Sequence, residues 1–229
     1  MSSVRAVTLL CNPAAPRLEP SLADSLCNAW GGADLRWLSP NVAVEFFVEG
    51  LPDNHDQVWD DLQKLGVDLV LQPGEGRRKK MLLADMDSTM IQQECIDELA
   101  DMAGVGERVK DITARAMNGE LDFDAALSER VGLLKDLPET VIQTVLDTRI
   151  TLMPGGATLL ATTKANQGHA ALVSGGFTAF TASIAARLGF DEHRANQLET
   201  RDGTLTGKVI PPILGRAAKI EALTQITAR

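Results

Sequence analysis

Alternating and helical spacings of apolar residues divide the chain into short segments. VRAVTLL (4–10), residues 33–38, VAVEFFV (42–48) and VDLVLQ (67–72) are apolar, β-branched runs of strand length. Residues 20–30 and 54–65, lying between them, have the length and flanking turn residues of short helices. The resulting order, βαββαβ, predicts an α+β module with an antiparallel sheet and both helices on one face. PGEGRRKK (73–80) then breaks the pattern with a proline and two glycines before gathering four positive charges. It reads as a linker, either a solvated connector or an electrostatic guide for an anionic substrate.

The pattern after the linker is different. MLLA (81–84) is a short apolar run that stops at Asp85, as a buried parallel strand does when its carboxyl end opens into a site. Residues 94–150 are helical in spacing and fall into four pieces, with Gly104 and Gly119 as stop signals and Pro138 as a first-turn residue. An all-helical insertion at this place reads as a cap. The α/β alternation resumes with a helix over 154–168, HAALV (169–173) as a second buried strand, and a helix over 177–189. In that helix Phe177, Phe180, Ile184 and Leu188 share one face and are predicted to be core. RANQLETRDGTLTGKVI (194–210) reads as a hairpin turning at Asp202-Gly203, followed by a helix over 215–229. The predicted organisation is therefore an N-terminal domain over 1–74, a linker over 75–80, an α/β core from 81–93 and 151–229, and a helical cap over 94–150.

Composition narrows the function. At 45% hydrophobic and 23% charged residues, the 229-residue chain can bury a sizeable core, which excludes general disorder. A net charge of −9 argues against nucleic acid as a partner. Residues 1–76 hold four basic and eleven acidic side chains, and the rest hold eighteen and twenty, so the halves differ in field. An anionic substrate would need local positive charge or a metal ion. Cys11, Cys27 and Cys95 are scattered, without C-x-x-C spacing, which predicts buried small hydrophobes in a reducing compartment. No apolar run approaches the roughly 18 residues of a membrane span, and MSSVRAVTLLCNP lacks a basic signal region, so a cytoplasmic protein without membrane partners is expected.

Candidate chemistry centres on Asp85-Met86-Asp87-Ser88-Thr89, directly after an apolar strand. Two carboxylates two residues apart can divide labour, one staying ionised as a nucleophile beside a hard cation and the other carrying a proton for a leaving group. That division suits phosphoryl transfer. Asp122 and Asp124 share the spacing but stand at a helix start with no strand before them, and read as capping residues. Ser174-Gly175-Gly176, at the predicted strand-to-helix junction, offers a hydroxyl and approachable backbone N–H groups as an anion cradle.

DMDSTMIQQECIDELA, ITARAMNGELDFDAALSERVGLLKDLP, ALVSGGFTAF and the hairpin containing DGTLTG occur in the order found in phosphoserine phosphatases of the haloacid dehalogenase (HAD) superfamily, which the chain resembles from about residue 80 onward. The resemblance implies a HAD-like Rossmannoid parallel sheet with a helical cap; the α+β module before it is, by its own element order, ferredoxin-like or ACT-like. It implies hydrolysis of O-phospho-L-serine, the last step of serine biosynthesis. Asp85 matches the nucleophile that becomes an aspartyl-phosphate. Asp87 matches the acid/base that protonates the leaving oxygen and then activates water. The Asp85 carboxylate and the Asp87 backbone carbonyl match Mg²⁺ ligands. Ser174 and Gly175 match the phosphate-binding motif, Lys219 the lysine that balances phosphate charge, Glu94 the ammonium acceptor, and Arg130 the carboxylate clamp. Met117 and Phe123 match apolar cap residues that close over the site.

Each position also has a plainer reading. Glu94 and Thr89 can cap helices, Arg130 and Lys219 can be solvated charges, and Met117 and Phe123 can be ordinary core. His55, His169 and His193 fall outside every motif. The family's Gly-Asp-Gly-x-Asn-Asp loop, which completes its Mg²⁺ site, does not occur in these residues. A piece of a longer enzyme, weak in metal binding and slow in turnover, is therefore expected. Two competing readings remain. One is a phosphatase or phosphotransferase for another small phosphomonoester. The other is an amino-acid-sensing protein acting through the N-terminal module, a type that binds small ligands or pairs into homodimers.

Overall fold

The computed structural model describes residues 4–228, which form two compact units divided between Lys79 and Lys80. The first unit runs β1 (Val4–Cys11), α1 (Pro20–Ala29), β2 (Ala33–Ser39), β3 (Ala43–Glu49), α2 (His55–Lys64) and β4 (Val67–Pro73). Its sheet has the order β2-β3-β1-β4 with every neighbouring pair antiparallel. The period of two in the strands decides which face is covered. Val7 and Leu9 pair with Phe46 and Val44, and this face packs with Leu69 against Leu26 of α1 and Leu62 of α2. Pro20 begins α1 at a position where its missing N–H costs nothing.

The opposite face of that sheet carries Glu45, only 3% exposed. Its Oε1 accepts from Arg36 Nε and Nη2 at 3.2 and 2.7 Å, and Arg77 Nη1 donates to Oε2. Arg77 also stacks on Phe47, 5.6 Å from the ring centroid. The basic run is therefore not a solvated connector throughout, because Arg77 folds back onto the sheet. The Arg77 guanidinium, with help from Arg36, holds the Glu45 carboxyl below its usual range against the upward push of burial.

This arrangement has a pH signature. A carboxylate depressed in the folded state stabilises the unit fully above its unfolded value near pH ~4.3, and that contribution is lost as pH falls through the folded value. Glu45→Gln should cost about 2 kcal/mol at neutral pH, and the difference from wild type should shrink below about pH 4. All three tryptophans, Trp30, Trp37 and Trp59, lie in this unit, so urea unfolding followed by tryptophan fluorescence reads it directly. A difference that does not change with pH would refute the ion-pair account.

The second unit has β5 (Met81–Ala84), a helical insertion of α3 (Cys95–Met102), α4 (Gly106–Met117), α5 (Phe123–Gly132) and α6 (Thr140–Thr148), then α7 (Gly156–Ala165), β6 (His169–Phe177), α8 (Thr178–Leu188), β7 (Glu192–Arg201), β8 (Thr204–Ile210) and α9 (Arg216–Thr227). The sheet order is β5-β6-β7-β8, with the first three parallel and β8 antiparallel. This is the α/β architecture with helical insertion that the patterning predicts. Phe177, Phe180, Ile184 and Leu188 are buried, in one cluster with Leu99, Val109, Leu127 and Val145 of the insertion. Among the described residues no helix is long and apolar enough to cross a membrane.

Four details differ from the sequence reading. MLLA is an edge strand, and Met81, Leu82 and Leu83 are only half-buried. The strand beginning at His169 continues through Phe177, so Ser174-Gly175-Gly176 ends a strand and α8 starts only at Thr178. Pro138 lies ahead of α6 and bridges to Thr204 of β8. The segment after α5 leaves the helix to make that contact: Asp136 N donates to Leu205 O, Leu205 N to Leu137 O and Glu139 N to Gly203 O, at 2.9, 2.9 and 2.8 Å. The hairpin turn itself is as predicted, with positive φ at both Asp202 (52°) and Gly203 (78°). Residue 229, included in the last predicted helix, lies outside the described residues.

The insertion leaves and rejoins the core at one point. Ile91 bridges Leu152, Gln92 N donates to Thr151 O at 3.0 Å, and Met153 N donates to Met90 O at 2.9 Å. The Gln93 side chain adds a bond from Thr151 N at 2.9 Å.

Candidate active site

A cleft of about 380 Å³ opens at the carboxyl ends of β5 and β6 beneath the insertion. Its walls include Asp85, Asp87, Glu94, Phe123, Arg130, Ser174, Gly175 and Lys219, all selected from sequence. Four further lining residues, Ile96, Leu127, Phe177 and Gly215, were not selected. Ile96, Leu127 and Phe177 sit at helix or strand positions where an apolar residue reads as core, and nothing local marks them as cleft walls. Met117 is not brought to the cleft: it ends α4 with 84% of its surface exposed.

The first acidic motif is held by its own turn. The Met86 carbonyl accepts from the N–H groups of Thr89, Met90 and Ile91 at 3.2, 2.8 and 3.1 Å, curling the chain so that Asp85 and Asp87 both face the cleft. Thr89 is exposed and contributes its N–H to this turn. Met86 N donates to Asp85 Oδ1 at 2.8 Å, and Lys219 from α9 donates to Asp85 Oδ2. The Asp87 carboxylate is fixed on both oxygens. Oδ1 accepts from Cys95 N at 2.8 Å at the start of α3, and Oδ2 accepts from Ser174 Oγ at 3.2 Å.

Ser174 is 3% exposed, and its Oγ also accepts from Gly176 N at 2.9 Å. The segment expected to cradle an anion is thus a strand end stapled by its own serine, not a helix N-terminus. Gly176 is needed there because a Cβ would stand 2.6 Å from Asp87 Oδ2. Phe123 rests on two other glycines: a Cβ on Gly175 would lie 3.0 Å from its Cζ, and one on Gly215 3.2 Å from its Cδ1. The cap ring can descend on the core only because both lack side chains.

The cap side carries two opposite charges. Glu94 occupies the N-cap position of α3 but makes no capping bond; it accepts from Ser88 Oγ at 2.6 Å. Partial burial pushes its carboxyl above the usual range, the Ser88 hydroxyl works against that shift, and the neighbouring Asp87, Asp97 and Asp85 charges add to it. A cation arriving beside Glu94 would relieve this crowding of negative charge. Arg130, in the last turn of α5, donates from Nε to Ala126 O at 3.2 Å. Burial lowers its pKa while Asp97 and Glu94 raise it, and a guanidinium remains charged throughout. Asp122 does cap α5, accepting from Ala125 N at 2.7 Å.

No cysteine or histidine among the described residues lines the cleft. All three cysteines are free and buried, and burial with Asp87 close by pushes the Cys95 thiol far up, keeping it protonated. His55 lies against Asp56, His169 against Glu192, and His193 against Thr181. Among the described residues no group of three or more His, Cys, Asp or Glu is arranged to hold a metal ion. The cleft is nonetheless rich in oxygen donors, with Asp85, Asp87, Glu94 and Ser174 all on its walls. An oxygen set of this type suits a hard divalent cation that keeps several waters and takes one or two carboxylates together with substrate phosphate.

Comparison with known proteins places the unit that holds the cleft in a family. Residues 82–229 match the family model for haloacid dehalogenase-like hydrolases. A phosphoserine phosphatase from Archaeoglobus fulgidus is 38% identical over 194 residues, 82% of this chain and 56% of that protein. The chain spans about half the length of the curated relatives it matches. In structure it is similar to a HAD family hydrolase from Salmonella enterica serovar Typhi, with a TM-score of 0.85 and 28% identity over 99% of this chain and 79% of that one. A substrate-bound phosphoserine phosphatase aligns with a TM-score of 0.61 and 42% identity over 66% of this chain and 71% of that one. With the paired aspartates after β5, the serine at the end of β6, the lysine on α9 and a family match covering the whole second unit but its first two residues, the chain belongs to the haloacid dehalogenase-like hydrolases.

Proposed function

We propose that the chain is the catalytic part of a phosphoserine phosphatase, releasing phosphate and L-serine from O-phospho-L-serine. The observation that carries this reading is the division of the cleft. Asp85, Asp87, Ser174 and Lys219 gather at one end, and Glu94 and Arg130 supply opposite charges from the cap. A phosphomonoester fits the first group, and the ammonium and carboxylate of an amino acid fit the second.

The chemistry follows from positions. An Asp85 carboxylate oxygen attacks phosphorus in line, forming an aspartyl-phosphate as the bond to the serine oxygen breaks. Asp87, its carboxyl held by Cys95 N and Ser174 Oγ, gives its proton to that oxygen and then takes one from the water that cleaves the acyl-phosphate. Lys219 offsets the charge of Asp85, which lets a dianionic phosphate approach a carboxylate. Ser174 and the Gly175 N–H receive phosphoryl oxygens, while the Gly176 N–H holds the Ser174 hydroxyl in place. Mg²⁺, held by the Asp85 carboxylate and the Asp87 carbonyl, would supply further neutralisation of the phosphoryl charge. Three free buried cysteines support a reducing, cytoplasmic setting.

The reading is tested by phosphate release with added Mg²⁺ from O-phospho-L-serine, O-phospho-L-threonine, phosphohomoserine and p-nitrophenyl phosphate side by side. Phosphoserine should be turned over with the highest kcat/KM, and p-nitrophenyl phosphate, lacking both charged groups, should trail it by about 10²-fold or more. Equal turnover of the two would remove Glu94 and Arg130 from recognition and leave a general phosphomonoesterase.

A further inference from the structure

We infer that Asn196 is a positioning residue for the phosphate half of the cleft, an assignment that rests on the phosphatase reading above. Asn196 lies on β7, is 1% exposed, and is not among the residues lining the cleft. The parallel ladder between β6 and β7 is interrupted between Val173 and Phe177, just where Ser174, Gly175 and Gly176 turn toward the cleft. The Asn196 side chain takes the place of the missing backbone partners. Its Nδ2 donates to Gly175 O at 2.8 Å and to Leu214 O at 3.3 Å, and its Oδ1 accepts from Leu214 N at 2.7 Å.

Two carbonyls and one N–H leave a single orientation in which the amide satisfies every neighbour. The two segments it joins carry the two halves of the anion site. Gly175 follows Ser174, and Leu214 immediately precedes Gly215, the N-cap of α9, from which Lys219 reaches Asp85. One buried amide therefore sets the spacing between the serine and the lysine that must grip the same phosphate. No aliphatic side chain can do this, and a carboxylate would face two carbonyl oxygens. Glu94 and Arg130, on the cap, are outside its reach.

The inference predicts a split between the two ligands of the cleft. Calorimetric titration of the 229-residue chain in Mg²⁺ buffer would measure inorganic phosphate and L-serine separately for wild type, Asn196→Ala and Asn196→Ser. Phosphate affinity should fall about tenfold or more in Asn196→Ala and less in Asn196→Ser, which keeps one donor, while L-serine affinity stays within about twofold. Unchanged phosphate affinity, or an equal fall for both ligands, would overturn the assignment. A reading that needs no variant is the Asn196 side-chain amide resonance of the wild type, which should shift on adding phosphate and not on adding L-serine; a shift with neither ligand or with both equally counts against the proposal. Wild-type turnover of O-phospho-L-serine, measured in parallel, separates failure of this assignment from failure of the phosphatase reading itself.

Discussion

Asp85→Asn should abolish phosphate release from O-phospho-L-serine, lowering kcat by at least about 10⁴-fold, equivalent to about 5 kcal/mol of transition-state stabilisation. The substitution is nearly isosteric. Its amide oxygen can still accept from Met86 N, so the turn that presents Asp87 should persist. What disappears is the anionic oxygen that forms the bond to phosphorus, together with the ion pair to Lys219. Acid-quenched single turnovers with labelled phosphoserine would show a labelled protein in the wild type and none in the variant. A variant retaining more than about a hundredth of wild-type kcat would end the nucleophile assignment, whatever its stability.

The second large effect comes from a residue with no functional group. Gly176→Ala places a methyl 2.6 Å from Asp87 Oδ2 and 3.2 Å from both Ser174 Oγ and Met86 Cε. Its φ is outside the left-handed region, so backbone strain does not enter and the conflict is purely steric. The carboxyl of Asp87 cannot rotate away freely, because Cys95 N holds its other oxygen. Displacing the acid/base by about 1 Å should cost about 10²-fold. That loss should fall on kcat, with KM little changed, since Glu94 and Arg130 at the cap end are untouched. Steady-state kinetics beside a thermal melt would check this. A rise in KM with kcat intact would mean that Gly176 serves ground-state binding instead.

What could be read from the amino acids alone depended on how local the cause was. Asp202-Gly203 was legible because a two-residue turn with φ positive at both positions is written in those two residues. Asp85 and Asp87 were legible because a short apolar run ending in acids has few uses. Glu94 could be a cap or a ligand, and the residues alone left both open; in the fold it makes no capping bond and accepts from Ser88 across a turn. The junction at Ser174 was misplaced because two glycines can end a strand or begin a helix, and the choice is made by Phe177 pairing with Asn196 on β7. Arg77 looked solvated because Glu45, its partner, lies 32 residues earlier. Met117 and Phe123 were equal candidates in pattern. Only Phe123 reaches the cleft, because Gly175 and Gly215, distant in sequence, leave room for its ring.

The stem where the helical insertion leaves and rejoins the core has a consequence for inheritance. Met90 to Gln93 run alongside Thr151 to Met153, so everything between them begins and ends at one doorway. A segment whose ends are already joined adds little closure entropy to its host, whatever its length. Under the proposed function, the groups that break the phosphate bond belong to the host, and the charges that read the amino acid belong to the segment. Reaction and recognition would then be separately exchangeable. A descendant could acquire a new substrate by replacing one contiguous stretch of chain, provided the replacement keeps an edge for residues 203–205 to hold.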